Sequence, residues 1–273
     1  MSAMAASPHE SAIGHVTGAA RYTDELGMPA GCLSMMPVLS TQAHARILLL
    51  DVSAARLAEG VIDVITAADI PGLNDTGAIV HDEPLLPSSK VEFYGQALAW
   101  IVAKTDAQAS SAAKLVRVEL APLPPILSFV DAQTAQSYHM APKHLIRGDA
   151  ESALAASPHR LSGTFESGGQ DHFYLETQAS WAYVDSENLV RVHASTQHPS
   201  ETQHIVARVL GLLQHEVIVS CVRMGGAFGG KETQAACLSA ARSDVPVRRF
   251  PTLNNRPAPP QSRAPPGGAR RPG

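Results

Sequence analysis

The chain of 273 residues is 45% hydrophobic and 17% charged, with a formal net charge of −4 at pH 7, which gives room for two globular domains with a sizeable core. The charge is unevenly divided, −10 over residues 1–240 and +6 over residues 241–273, so the body offers no basic patch for nucleic acid. The three cysteines lack C-x-x-C spacing, no apolar run is long enough to span a membrane, and the start MSAMAASPHESAIG has neither a basic nor an apolar leader region; a disulfide framework, a cysteine metal site and a membrane protein are excluded, and a cytoplasmic location is expected.

From Ala45 the elements alternate. ARILLLDV reads as a strand, SAARLAEG as a short helix opened by Ser53 and stopped by Gly60, and VIDVITA as a second strand. QALAWIVA at 96–103, a helix opened by Asp106 and the strand KLVRVEL repeat that order, which predicts a mixed α/β domain over residues 1–150. APLPPI and the polar residues after it predict a connection across the surface. A second domain, 151–236, is expected to open with the strand RLSGTFES, then a hairpin of QASWAYV and LVRVHAS around the turn DSEN, then a helix started by Pro199 and stopped by Gly211. Ile205, Val206, Val209 and Leu210 share one face of that helix. Residues 237–273 read as a disordered Pro/Arg-rich tail, either a basic arm or text from another reading frame.

The chemistry concentrates in RMGGAFGGKETQ, residues 223–234, which follows the strand-like EVIVSCVR and precedes helix formers. Strand, glycine loop and helix in that order aim main-chain N–H groups at one place and favour an anionic ligand. GGAFGGK meets the phosphate-loop pattern until Glu232 stands where Ser or Thr is needed to reach magnesium, and the dinucleotide spacing fails as well. A plain glycine turn satisfies the same residues. Among the twelve histidines, His215-Glu216 lacks the second histidine of a zinc helix, and His198 and His204 do not share a helix face, so they read as surface or hydrogen-bonded residues.

Three stretches in order, SGGQDHFYLETQ (167–178), STQHPSETQHIVARVLG (195–211) and RMGGAFGGKETQ (223–234), together with GAARYTDELGMPAGCL, AHARI, AADIPG, YGQALA and LIRGD upstream, resemble the molybdenum-binding subunit of the molybdenum hydroxylases of the xanthine dehydrogenase type. The resemblance implies an α+β fold: a hammerhead-like α/β domain, then the start of a molybdopterin-binding domain. It also implies purine hydroxylation with oxygen from water, in the direction of urate. Electrons would pass to 2Fe–2S clusters and FAD on an iron–sulfur/FAD partner in a hetero-oligomer. By the same resemblance Gln170 is the amide beside the molybdenum, Phe228 and Gly229 bring main-chain N–H groups to it, and Glu232 holds the purine. His172 and Glu176 are expected to be structural, and Asp171 stands where the family has Glu. The family's subunit is much longer; its general-base glutamate and later pterin loops have no counterpart here, so no catalytic residue is assigned. A non-catalytic, partner-docking piece and an aldehyde-oxidising relative are the alternatives, Glu232 favouring purines.

Overall fold

The computed structural model describes residues 9–235 and Ser239. After a short helix α1, Ala12–Thr17, the first part of the chain forms two antiparallel three-stranded sheets. In one, β5 (Ala97–Ala103) lies between β1 (Ser34–Leu39) and β3 (Val61–Ile65); in the other, β2 (Ala45–Asp51) lies between β4 (Lys90–Val91) and β6 (Arg117–Pro122). The near-continuous apolar text of β5 follows from its central place, since both of its faces are covered. Ala99, Ile101 and Ala103 pack with Val38, Val64, Ala55 of helix α2 (Ser53–Arg56) and Ala109 and Ala112 of helix α3 (Asp106–Ala113). Val102, on the alternate face, joins a different cluster. Thr105 caps α3 by accepting the Gln108 N–H, one residue ahead of the expected Asp106. Strand β1 escaped the sequence pattern because Pro37 interrupts it, and an edge strand is where a residue without N–H is tolerated.

The second part forms a third sheet. β7 (Ser180–Val184) and β8 (Val190–Ala194) make the expected hairpin, with Asn188 at φ 62° in the turn. Helix α6 (Pro199–Leu210) then carries the chain over to β9 (Val217–Ser220), which pairs with β8 in parallel. Proline at its first turn and Gly211 at φ 67° after its last bound α6 as the sequence predicts, and Ile205, Val206, Val209 and Leu210 are buried. β9 is shorter than the apolar run because Glu216 closes a 3-10 turn, its carboxylate accepting the Leu213 N–H at 2.8 Å.

These parts share one core: Ile65, Leu85, Leu86 and Val102 from the first pack with Val190, Val192, Val217 and the apolar face of α6 from the second. The chain divides accordingly into a larger unit, joining residues up to Leu123 to those from His172 onward, and a smaller one, Pro124–Asp171. Residue 150, the expected domain boundary, falls inside the smaller unit. That unit holds α4 (Phe129–Thr134), capped by Ser128, and α5 (Ala150–Ala156), capped by Asp149. RLSGTFES forms no strand there, and Leu161 and Phe165 are exposed. The tail expectation for residues 237–273 lies outside the described residues, Ser239 apart.

The C-terminus of α6 is held by a loop from the first part. Gly72 and Leu73 donate their N–H groups to the carbonyls of Val209 and Arg208 at 2.9 and 3.0 Å, and Arg208 reaches Asp75 and the Gly77 carbonyl. A Cβ on Gly72 would lie 2.2 Å from the Arg208 carbonyl oxygen, with no flexible side chain to give way. Gly72→Ala is therefore expected to destabilise the chain by about 1–3 kcal/mol, lowering the thermal midpoint by about 3–10 °C. Gly27→Ala, which meets nothing within 4 Å, should leave the midpoint unchanged.

Candidate functional site

In the larger unit the irregular segment 172–178 runs beside the glycine loop. The Glu176 N–H donates to the Gly225 carbonyl at 3.2 Å, and the Gly225 N–H donates to the Glu176 carboxylate at 2.7 Å. Each loop glycine then has a reason. A Cβ on Gly225 would lie 2.4 Å from Glu176 Cβ, and one on Gly230 would lie 2.6 Å from Tyr174 Cε1. Gly226 and Gly229 sit at φ 95° and 94°, a region open to glycine at little cost. Phe228 between them is at φ 53° with its side chain 76% exposed, and strain of this kind on a bulky residue collects at ligand sites.

Lys231, which the sequence placed where a phosphate-loop lysine would stand, is fully buried and turned inward. Its ammonium lies 3.0 Å from Glu176 Oε2, donates to Ser195 Oγ at 2.8 Å and stands 4.9 Å over the Tyr174 ring. Ser195 Oγ donates in turn to Glu176 Oε2 at 2.7 Å. Burial alone pushes the Glu176 carboxyl up, but hydrogen bonds from the Gly225 N–H, Ser195 and Lys231 and the lysine charge outweigh it, leaving the carboxyl below its usual range. The structural role expected for Glu176 is thereby filled, and the loop's one lysine is spent on it.

The glutamine on this loop is Gln197. Its Oε1 accepts the N–H of Gly229 at 3.0 Å and of Lys231 at 3.3 Å, and its own N–H donates to the Lys231 carbonyl at 2.9 Å. The Gly229 N–H, expected to face the metal group, is thus taken up within the protein, while the Phe228 N–H has no acceptor among the described residues. Gln170 is exposed and belongs to the smaller unit; Glu232 is half-buried directly after Lys231. The sequence did contain a signal for Gln197. Residues that follow two adjacent parallel strands joined by a crossover helix meet at the carboxyl ends of those strands, where open α/β sheets bind ligands. Ser195 and Gln197 follow β8, and the glycine loop follows β9.

Residues 17–124 match the family described as the a/b hammerhead domain of aldehyde oxidase and xanthine dehydrogenase, and residues 132–254 match the molybdopterin cofactor-binding domain. The chain is 42% identical over 239 residues to a xanthine dehydrogenase of Oryza sativa subsp. japonica, covering 86% of this chain and 18% of the relative. A xanthine dehydrogenase of Dictyostelium discoideum is 41% identical over 238 residues, 86% and 17% of the two chains. Among solved structures, the aldehyde oxidoreductase from Desulfovibrio gigas superposes with a TM-score of 0.76 at 27% identity, over 88% of this chain and 29% of that one. Quinoline 2-oxidoreductase from Pseudomonas putida 86 gives 0.73 at 25% identity, over 87% and 33%. The chain spans about a fifth of the length of the curated relatives it matches. Its fold is the expected α+β succession, a hammerhead domain followed by the start of a molybdopterin-binding domain.

The buried pair generates two expectations for the full chain. Glu176→Gln and Lys231→Met each strand one buried charge and should cost about 3–5 kcal/mol, whereas the double variant should cost clearly less than their sum in a denaturant double-mutant cycle; additive losses would show that the two side chains do not interact. Because the Glu176 carboxyl is held low, its contribution is complete above its unfolded value near 4.5 and is lost as pH falls through the lower folded value. Stability should therefore drop more steeply below about pH 4.5 in the wild-type chain than in Glu176→Gln, as read from urea midpoints at successive pH values.

Proposed function

Since this chain belongs to the aldehyde oxidase and xanthine dehydrogenase family of molybdopterin enzymes, we propose that its glycine loop forms one face of a molybdenum–molybdopterin site that hydroxylates a purine. The observation that carries the reading is the posture of the loop: Phe228 strained, exposed and with its N–H unspent, in a segment matched to a molybdopterin-binding domain. The residues fit such a group on this face. Nothing lies nearer than 3.8 Å to where a Cβ on Gly229 would stand, so the main chain is open to close approach, and a free N–H suits an anionic oxygen. The described residues contain no cluster of three His, Cys, Asp or Glu side chains, so the contacts offered to the group come from main chain and amides. When bound, the group supplies the oxidising centre that takes two electrons from the substrate.

The roles of this chain's own residues follow from their chemistry. The Phe228 N–H donates to the group, and a side-chain amide beside it stabilises negative charge that grows during reaction. By the resemblance we assign that amide to Gln170, while Gln197 holds the loop itself, its Oε1 accepting the Gly229 and Lys231 N–H groups. Glu232 accepts an N–H of the purine ring and can share a proton with it. Its carboxylate, and relatives named xanthine dehydrogenase at 36–42% identity, favour purines over the aldehydes named for the Desulfovibrio gigas enzyme. The electrons are proposed to leave through 2Fe–2S and FAD on a partner chain in the cytoplasm. No residue of this chain is assigned as general base.

The test is molybdenum and pterin analysis of the purified chain after co-expression with an iron–sulfur/FAD partner: bound pterin supports the site, and a chain free of pterin overturns it. In an assembled enzyme carrying the full-length family subunit with these residues, Glu232→Ala should lower kcat/KM for xanthine roughly ten- to a hundredfold while leaving metal content unchanged. Gln170→Ala should slow reduction by bound substrate while leaving substrate affinity nearly intact; an unchanged rate of reduction removes Gln170 from the site.

A further inference from the structure

The loop that carries Phe228 is held from below by a second glutamine, to which neither the resemblance nor the proposed mechanism gives a task. Gln178 Nε2 donates to the Gly230 carbonyl at 2.7 Å and to the Tyr174 hydroxyl at 3.1 Å. The Gly230 oxygen can only accept, so the amide nitrogen must face it and the orientation of Gln178 is fixed by the bond. The other end of the amide is in debt: Gln178 Oε1 is buried with no partner among the described residues. A buried carbonyl left without a donor is costly, and a methionine of similar shape would avoid that cost. The position therefore keeps a glutamine for its two N–H donors.

Those donors join two things that must stay together. Gly230 lies so close to Tyr174 that a Cβ would be 2.6 Å from the ring, and the same ring faces the Lys231 ammonium. Gln178 ties the ring's hydroxyl and the Gly230 carbonyl to one rigid amide. With Gln197 on the Gly229 and Lys231 N–H groups and Ala227 accepting the Gly230 N–H at 2.8 Å, the main chain after Phe228 has its hydrogen bonds committed on both sides. We propose that Gln178 is a positioning residue: by fixing the Gly230 peptide against Tyr174 it keeps the neighbouring Phe228–Gly229 turn in its left-handed form, with the Phe228 N–H presented outward. What the loop presents that N–H to rests on the molybdopterin reading; how the loop is held does not.

The full chain, its Gln178→Met variant and its Gln178→Glu variant are compared by amide hydrogen exchange, with thermal unfolding as the global control. In Gln178→Met, protection at Gly229 to Lys231 should fall about tenfold, the loss of one ordinary hydrogen bond, while protection of β5 and Tm stay at wild-type values. In Gln178→Glu the carboxylate cannot donate, so protection should be lost at neutral pH and should return, after correction for intrinsic rates, as the carboxyl gains a proton that it can donate to Gly230. Wild-type protection should show no such return. Molybdenum retained per chain after cofactor loading should fall in both variants at neutral pH. Unchanged loop protection in Gln178→Met, or a loss spread evenly over the larger unit with a lower Tm, overturns the proposal; if that variant does not fold, the pH dependence in Gln178→Glu decides alone. A wild-type chain that takes up no molybdenum defeats the molybdopterin reading and leaves the exchange result to decide the role of Gln178.

Discussion

The buried pair of Glu176 and Lys231 is the constraint around which the larger unit is arranged. A fully buried ammonium is tolerated only where a carboxylate and further hydrogen bonds meet it, and the penalty for leaving either charge alone is several times the net gain from joining them. Its value is therefore one of alignment. Only one placement of segment 172–178 against the glycine loop brings Lys231, Ser195 and the Gly225 N–H onto the same carboxylate oxygen. The other oxygen accepts the Thr23 N–H at 3.4 Å, and the Thr23 carbonyl accepts the Trp181 indole N–H at 3.1 Å. The early turn at 23–25, the third sheet and the loop are thus tied through two neighbouring residues.

Helix α6 is the lever between the two halves of that unit. Its C-terminal carbonyls are met by Gly72 and Leu73, and its last turn is pinned through Arg208 to Asp75. Its N-terminal end follows directly on Gln197, the residue that grips the loop. Sites placed at the ends of packed elements hold their geometry better than sites on free loops, and here the hammerhead part supplies the packing at one end of α6 while the loop uses the other. The parallel pairing of β8 and β9 completes the arrangement by setting the residues after both strands side by side.

The direction of Lys231 separates this loop from the phosphate loops it resembles in text. With the cation turned inward and committed, the loop exposes main chain and the Phe228 ring, and Glu232, half-buried, stands one residue after the lysine. On the proposed reading that combination suits an anionic cofactor approached by N–H donors and a neutral heterocycle approached by a carboxylate, and it leaves no hand for a triphosphate.

Periodicity and punctuation alone determined most of the local structure. The strands around 45–51, 97–103 and 180–194, the helix from Pro199 to its stop at Gly211, and the glycine loop following a strand are each written in neighbouring residues, because backbone preference and the alternation of apolar side chains act over a few positions. The motifs named the family for the same reason. Only the tertiary structure decided what each face was pressed against. It packed Ile65, Leu86 and Val102 with Val190, Val217 and the apolar face of α6 into one core, turned Lys231 toward a glutamate 55 residues earlier and put Gln197 on the loop. Those outcomes depend on which distant segment meets a charge, an open backbone edge or a glycine with room above it, and a buried charge or an unpaired N–H is satisfied by whatever the fold brings within about 3 Å, a distance that order along the chain does not record.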